Sequence, residues 1–413
     1  MTGRRHTEER DMGTRMLRTA RIGLTTAGVT AALAMAGCGS DDEDTTSNST
    51  PTTSSDASGG SASGASGVTS LADLTGKGTE GTPPTSSPAP AKGKTVWWVS
   101  CGAVAPDCAA PAAAAKEAAG KLGITFKVAD GNLNQAGKYL TATREAVAAK
   151  PDGIIVHALD CIAIKPALEE AKKANIPVLG VETPDCDTPP NTQAPLLTED
   201  MKYAPEIPDT EAYFKSWGKG AAEYLINKTG GKAQVILNEG TDSVFPLMNQ
   251  GFTETLKKCS GCKIVDTVKF TAAEQIPNGP WIQRFRTAVT KNPTATATFI
   301  PSDYAMTALG GGKAVQEAGS KALVVGGSGS AAGMDGVRSG AVAADTFAHD
   351  VAWMGYGAMD NMNRMLQGDP TVVEGVGAKV VTKDANLPAK PGTPYQSKVD
   401  FKAAYEKAWA AGK

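Results

Sequence analysis

From Lys94 to about residue 385 the chain alternates short apolar runs with amphipathic stretches, and this alternation restricts the fold more than any other feature. Runs rich in apolar and β-branched residues lie at 95–100, 124–129, 153–158 and 177–181. A second set lies at 233–238, 263–270, 296–300, 322–326 and 342–347. They read as strands of parallel sheets. Helical periodicity fits 112–122, 140–149, 162–174, 210–228, 247–258, 280–291, 304–318 and 351–367. A parallel strand returns only by crossing a sheet face, so the alternation implies α/β layers with helices on both sides. The Pro-rich stretch at 184–208 separates the two sets, and two α/β lobes are the natural division.

The 320 residues after Gly93 are enough for two lobes with real cores. Net charge is −2, so no basic excess exists to neutralise phosphates and nucleic acid is not expected as a partner. Three histidines, one of them His6 near the N-terminus, exclude a histidine-rich metal site, and no cofactor is expected.

Residues 1–37 read as an export signal. Six arginines (Arg4, Arg5, Arg10, Arg15, Arg18 and Arg21) precede the uncharged stretch 22–36, a length that suits a signal-peptide core and is short for a membrane span. The stretch ends Met35-Ala36-Gly37-Cys38, which resembles a bacterial lipobox with Cys38 as the lipidated residue. An uncleaved anchor and an ordinary cleavage site are the alternatives, and Met12 or Met16 could equally be the start. Residues 38–93 are mostly Ser, Thr, Gly, Ala, Asp and Pro, too poor in large apolar side chains to offset the ordering entropy. They are expected to form a tether, with Leu71 and Leu74 giving at most one transient helical turn. As a coil the tether would span about 40 Å.

Several local runs carry a family resemblance. They are Gly153-Ile-Ile-Val156, then Ala171-Lys-Lys-Ala-Asn-Ile-Pro-Val178, Phe299-Ile-Pro-Ser-Asp-Tyr-Ala-Met306, Ala318-Gly319 followed by Leu323-Val-Val-Gly326, and Ser339-Gly-Ala-Val-Ala-Ala344. In order and spacing these resemble the sugar-binding type I periplasmic binding proteins, over about residues 94–385. The resemblance implies two Rossmann-like lobes joined by a three-strand hinge. Lobe one would span 94–208, completed by about 350–377. Lobe two would span 209–349, completed by about 378–395, and 396–413 would form a terminal helix. It also implies a solute in the cleft between the lobes, where physics places ligands of open α/β sheets. The partners implied are a small-molecule solute, the permease of an ABC importer, and the membrane through a lipid anchor at Cys38. A monomer on the extracytoplasmic face of the cell membrane is expected.

Carried over position by position, the resemblance implies ligand contacts at Glu182, Phe270, Ser302, Asp303, Ser328, His349 and Asp160. Ser302 stands at a family Asn and Ser328 at a family acid. The family's Arg after Thr241 is absent, Asp242-Ser-Val-Phe-Pro246 standing there instead, so Phe245 is read as an apolar or ring-shaped contact. These departures count against the usual aldohexose or pentose. A sugar or sugar-like solute is still the expectation from the family, and a less polar ring compound is the alternative that the lost acid and Arg support. Structural readings stand beside these: Asp303 as cap of a helix from Tyr304, the tryptophans as core, His157 as an isolated strand-end residue. A sensory role on the same fold is a further alternative.

Apart from Cys38, the cysteines group locally as Cys101 with Cys108, Cys161 with Cys186, and Cys259 with Cys262. Bridges in the first two groups would stiffen the rim of the cleft. Cys259-Ser-Gly-Cys262 lies at a helix-to-strand turn rather than a helix N-terminus, so a structural disulfide is expected over a redox pair. Gly327-Ser-Gly-Ser-Ala-Ala332 matches a dinucleotide fingerprint, but it follows a late strand and reads better as a ligand loop of the cleft. Two histidines after the leader offer little to a serine-hydrolase triad, and no enzymatic activity is expected; an exported hydrolase is the weak rival. Residues Phe401, Tyr405, Ala408 and Trp409 recur at helical spacing, as in an amphipathic helix packed on a lobe.

Overall fold

The computed structural model describes residues 67–412 apart from Pro190 and Ser243. The expected leader, the expected lipidation site at Cys38 and residues 38–66 of the expected tether lie outside the described residues. Among the described residues, no helix is long and apolar enough to cross a membrane.

The first lobe follows the alternation read from the sequence: β1 (Thr95–Ser100), α2 (Pro106–Leu122), β2 (Thr125–Asp130), α3 (Lys138–Ala148), β3 (Gly153–His157), α4 (Cys161–Lys173) and β4 (Val178–Val181), preceded by a short α1 (Leu71–Thr75). A two-residue β5 (Glu199–Asp200) closes the edge. These strands form a parallel sheet in the order β2-β1-β3-β4-β5. The second lobe holds α5 (Thr210–Lys228), β6 (Gln234–Gly240), α6 (Phe245–Leu256), β7 (Lys263–Phe270), α7 (Pro280–Lys291), β8 (Ala297–Ile300), α8 (Asp303–Met306), α9 (Gly311–Glu317), β9 (Leu323–Gly326), α10 (Ala331–Ser339) and β10 (Ala344–His349). Its sheet runs β11-β10-β9-β8-β6-β7, parallel except for β11 (Ala378–Val381), which pairs antiparallel with β10. The helix expected over 304–318 is broken into α8 and α9, because Gly310 takes a φ of 83° between them.

After β10 the chain crosses to lobe one as α11 (Val351–Gln367), which lies on α2 so closely that a Cβ at Gly355 would stand 2.5 Å from the Pro111 carbonyl oxygen. It then returns to β11. With the passage from β5 to α5 this makes three connections between the lobes. The first and third meet side by side where Lys202 pairs with Val373 and the Glu374 N–H donates to the Lys202 carbonyl at 3.0 Å.

The terminal segments add to this. Residues 67–93 do not behave as the tether expected up to Gly93. Ser70 caps α1, and Leu71 and Leu74 lie partly buried against the core. The Thr69 hydroxyl donates to Glu223 on α5 at 2.9 Å, and the Thr79 N–H donates to the Ala378 carbonyl on β11 at 2.9 Å. Farther along, the Ser87 hydroxyl donates to Asp360 at 2.6 Å and the Ala91 N–H to Asn363 at 2.8 Å, both on α11. The segment is held mostly by its backbone and small polar side chains, so hydrophobic patterning gave no sign of it. It runs from lobe two to lobe one along the third connection. At the other end, the Tyr395 N–H donates to the Gly329 carbonyl at 2.8 Å, after which α12 (Phe401–Ala411) buries Phe401, Tyr405, Ala408 and Trp409 against α11. Trp409 completes the Asp360 site, its indole N–H donating at 2.7 Å.

In lobe two, α5 and α6 approach through glycines. A Cβ at Gly218 would lie 1.8 Å from the Met248 carbonyl oxygen, and one at Gly251 would lie 2.0 Å from that of Lys215.

Two outcomes are expected. Gly251→Ala lowers unfolding free energy by about 2 kcal/mol or more, since two packed backbones must part to admit a methyl; an unchanged denaturation midpoint would contradict this packing. A chain beginning at residue 94 is less stable than one beginning at 67 by about 3 kcal/mol, because Asp360, Arg364 and Asn363 lose buried partners. Equal denaturation curves for the two would show that residues 67–93 contribute nothing.

Candidate functional site

In each sheet one pair of neighbouring strands has its connections leaving in opposite directions: β1 and β3 in lobe one, β6 and β8 in lobe two. Crevices open beyond the carboxyl ends of such pairs. The loops after those strands, together with residues from α5, enclose a cavity of about 90 Å³ shared by both lobes.

Lobe one contributes three strand ends. The loop after β1 is tied by a Cys101–Cys108 disulfide, with Cα atoms 5.4 Å apart, and presents Asp107 from the first turn of α2. At the ends of β3 and β4, Ala158 and Glu182 line the cavity with φ values of 53° and 49°. Such left-handed backbone in non-glycine residues is unfavourable and gathers at ligand sites. A Cys161–Cys186 disulfide, with Cα atoms 5.2 Å apart, joins the segments that follow these same strands.

The walls are largely aromatic: Tyr139, Phe214, Trp217, Phe245 and Tyr304. Phe245 opens α6 and rests on Phe270 at 5.0 Å between ring centroids, which leans in turn on Trp281 at 6.3 Å. Trp217 is 4% exposed, and its indole N–H finds no acceptor among the described residues.

Acids are concentrated beside the glycine-rich loop after β9. Gly326, Gly327 and Gly329 all take positive φ, which lets successive N–H groups turn toward carboxylates. The Ser328 N–H donates to Asp303 at 3.2 Å and the Gly329 N–H to Asp345 at 2.8 Å. The Ser330 hydroxyl donates to Asp303 at 2.7 Å. The Ser328 hydroxyl reaches across the cleft to donate to Asp107, joining the lobes. Burial, then the neighbouring Asp303 carboxylate, push Asp107 well above the usual carboxylate range. Burial does the same to Asp345, and raises Asp303. With its N–H groups committed to carboxylates, this loop is unsuited to a dinucleotide phosphate.

On the other side, burial opposes charge on Glu182, but hydrogen bonding to His157, 3.0 Å away, works against this and helps hold the carboxyl below the ordinary value. Its backbone N–H donates to the Tyr203 hydroxyl at 2.6 Å. His157 therefore has a partner that its isolated place in the sequence concealed. His349 lies 3.3 Å from the Tyr213 hydroxyl, and burial pushes its pKa down.

Of the residues the sequence singled out, Glu182, Phe245 and Ser302 line the cavity. Ser328 and Asp303 stand directly behind it through Asp107. The cap expected from Asp303 is supplied by Ser302, whose hydroxyl accepts from the Ala305 N–H at 3.2 Å, leaving the Asp303 carboxylate for the loop. Phe270 does not line the cavity; it buttresses Phe245. Asp160 caps α4, accepting from the Ile162 N–H at 3.0 Å, and His349 is also outside the lining. Sequence reasoning missed Asp107, Trp217 and Gln275, which do line it. The bracketing cysteines could have pointed to Asp107; Trp217 lies in a helix and gave no local signal.

Cys259 and Cys262 form a third disulfide, Cα atoms 5.3 Å apart, at the turn between α6 and β7. Among the described residues, one cluster has metal-type donors close together, Cys161, Asp185 and Cys186, and two of its sulfurs are joined to each other.

No curated protein matches the chain. Among solved structures, GanP, a glucose-galactose binding protein from Geobacillus stearothermophilus, is 23% identical, covering 71% of this chain and 99% of that one with a TM-score of 0.59. The binding component of the arabinose ABC transporter from Shewanella sp. ANA-3 is 21% identical over 76% of this chain and 95% of its own, TM-score 0.55. An ABC transporter solute binding protein from Agrobacterium vitis, with bound allitol, is 23% identical over 71% and 96%, TM-score 0.58. These likenesses concern the fold. A family model described as periplasmic binding protein domain matches residues 92–370, most of the chain, and with two parallel-sheet lobes facing one cavity the chain belongs to that family of binding proteins.

Proposed function

We propose that the protein is the solute receptor of an ABC importer, held at the extracytoplasmic face of the membrane by a lipid on Cys38. It captures a sugar or sugar-like small molecule in the inter-lobe cleft and delivers it to the permease as a monomer. The observation that carries this reading is that both lobes wall one cavity and touch across it through Asp107 and Ser328. A solute held from both sides stabilises the closed form over the open one, and that difference is what a membrane partner can read. The cavity, about 90 Å³, is smaller than the roughly 150 Å³ that accommodates benzene, so a solute of ring size enters as the lobes part. The hydroxylated solutes named for the neighbours in fold support a polyol-like ligand. The aromatic walls, with Phe245 where an Arg was expected, support a solute with one apolar face.

Screening the purified protein by thermal shift against sugars, polyols and ring compounds tests the reading. A true solute at 100 times its Kd adds about 2.7 kcal/mol to stability, and Phe245→Ala weakens it about tenfold or more. The receptor reading fails if no small molecule shifts melting; the ring contact fails if Phe245→Ala binds as the parent does. Cys38→Ala should move the protein from the membrane fraction to the soluble one. Retention at the membrane would show that something other than this cysteine holds it there.

A further inference from the structure

The charges at the cleft are unbalanced. Among the described residues lining the cavity none is Lys, Arg or His, whereas Asp107 and Glu182 both line it. Glu182 is answered by His157 behind it. Among the described residues, Asp107 is answered only by the Ser328 hydroxyl, a neutral donor shared with Asp303. The backbone N–H groups that could help are committed, that of Ser328 to Asp303 and that of Gly329 to Asp345. Thus a carboxyl group faces the solute with no cation to compensate it. A second, independent gap belongs to a residue of the same cavity: Trp217 lines it, and its buried indole N–H, on a side chain 4% exposed, has no acceptor among the described residues. The site lacks a positive charge at one place and an oxygen at another.

We propose that the solute is a small hydroxylated amine, its protonated nitrogen held by Asp107 and an oxygen accepting from the Trp217 N–H. This rests on the receptor reading above and names the class of solute. An ammonium group supplies both the charge and the donors that Asp107 lacks, and a charged pair in a closed cleft is worth more than the same pair in water. The surrounding rings favour the same ligand, because aromatic faces attract cations while their apolar surface takes up its carbon frame. A carboxylate or phosphate solute would meet Asp107 and Glu182 with like charge. A neutral sugar would donate hydroxyls to Asp107 but bring no positive charge to it. A metal ion does not suit the walls, and the converging donors that a metal needs do not include these acids among the described residues. The upward push on the Asp107 pKa, from burial and then the Asp303 carboxylate, runs in the same direction, since both oppose a negative charge that nothing beside it offsets.

The test uses the full-length chain and matched probes. Amino sugars, aminocyclitols and small amino alcohols are each compared with the N-acetyl amide and with the parent hydroxyl compound, by calorimetry and thermal shift. At least one amine should bind, with its amide and hydroxyl counterparts weaker by about tenfold or more. Asp107→Asn keeps an acceptor for Ser328, so the lobe-to-lobe bond can persist; it should weaken the amine about tenfold or more beyond whatever it costs the hydroxyl parent. Trp217→Phe keeps the ring and removes the N–H, and should weaken amine and parent alike by about threefold or more. Neutral compounds binding as tightly as their amines, or full amine affinity in Asp107→Asn, would overturn the inference and leave the receptor reading standing. Binding by no compound in either arm would overturn both.

Discussion

A parallel strand cannot turn straight back on itself; the chain must return over a sheet face before the next strand begins. Every carboxyl end of β1, β3 and β4, and of β6, β8 and β9, therefore falls on one edge of its sheet. The two edges face each other, and the acids of the cleft gather there, with Phe214 and Trp217 added from α5. The lobes need no shared sheet for this. They need connections that hold the edges opposite while allowing them to part, and three chain crossings plus two terminal segments supply the hold.

Within the cleft, negative charge is organised by backbone rather than by basic side chains. Asp303 and Asp345 are satisfied by the N–H groups of a loop whose glycines adopt positive φ. That arrangement leaves Ser328 free to reach Asp107 in the opposite lobe, so the contact between the lobes is made at a carboxyl group that also lines the cavity. The disulfide at Cys101–Cys108 holds the loop that carries Asp107, which limits how far this group strays as the lobes move.

Much of the fold was legible because periodicity is a local property. The strand–helix order and the terminal amphipathic stripe at Phe401, Tyr405, Ala408 and Trp409 could be read from spacing alone. Glu182, Phe245 and Ser302 could be placed because they follow strands in motifs with a known order. Phe270 and Asp160 follow strands too, yet one backs a neighbouring ring and the other caps a helix; position after a strand does not say which way a side chain turns. Trp217 sits inside a helix whose cleft-facing side is set by its packing on α6 and β10. Residues 67–93 were misread because docking through Ser87, Ala91 and backbone groups leaves no hydrophobic pattern.

The sequence by itself determined the two α/β lobes, the local pairing groups of the cysteines and the strand ends where a ligand must lie, since each follows from spacing along the chain. Only the tertiary structure decided that Asp107 meets Ser328, that Glu182 finds His157, and that five aromatic rings wall the cavity. Those facts depend on groups far apart in sequence, such as Asp107 and Ser328, whose approach is set by how two separately packed sheets face one another. No local pattern encodes that relation.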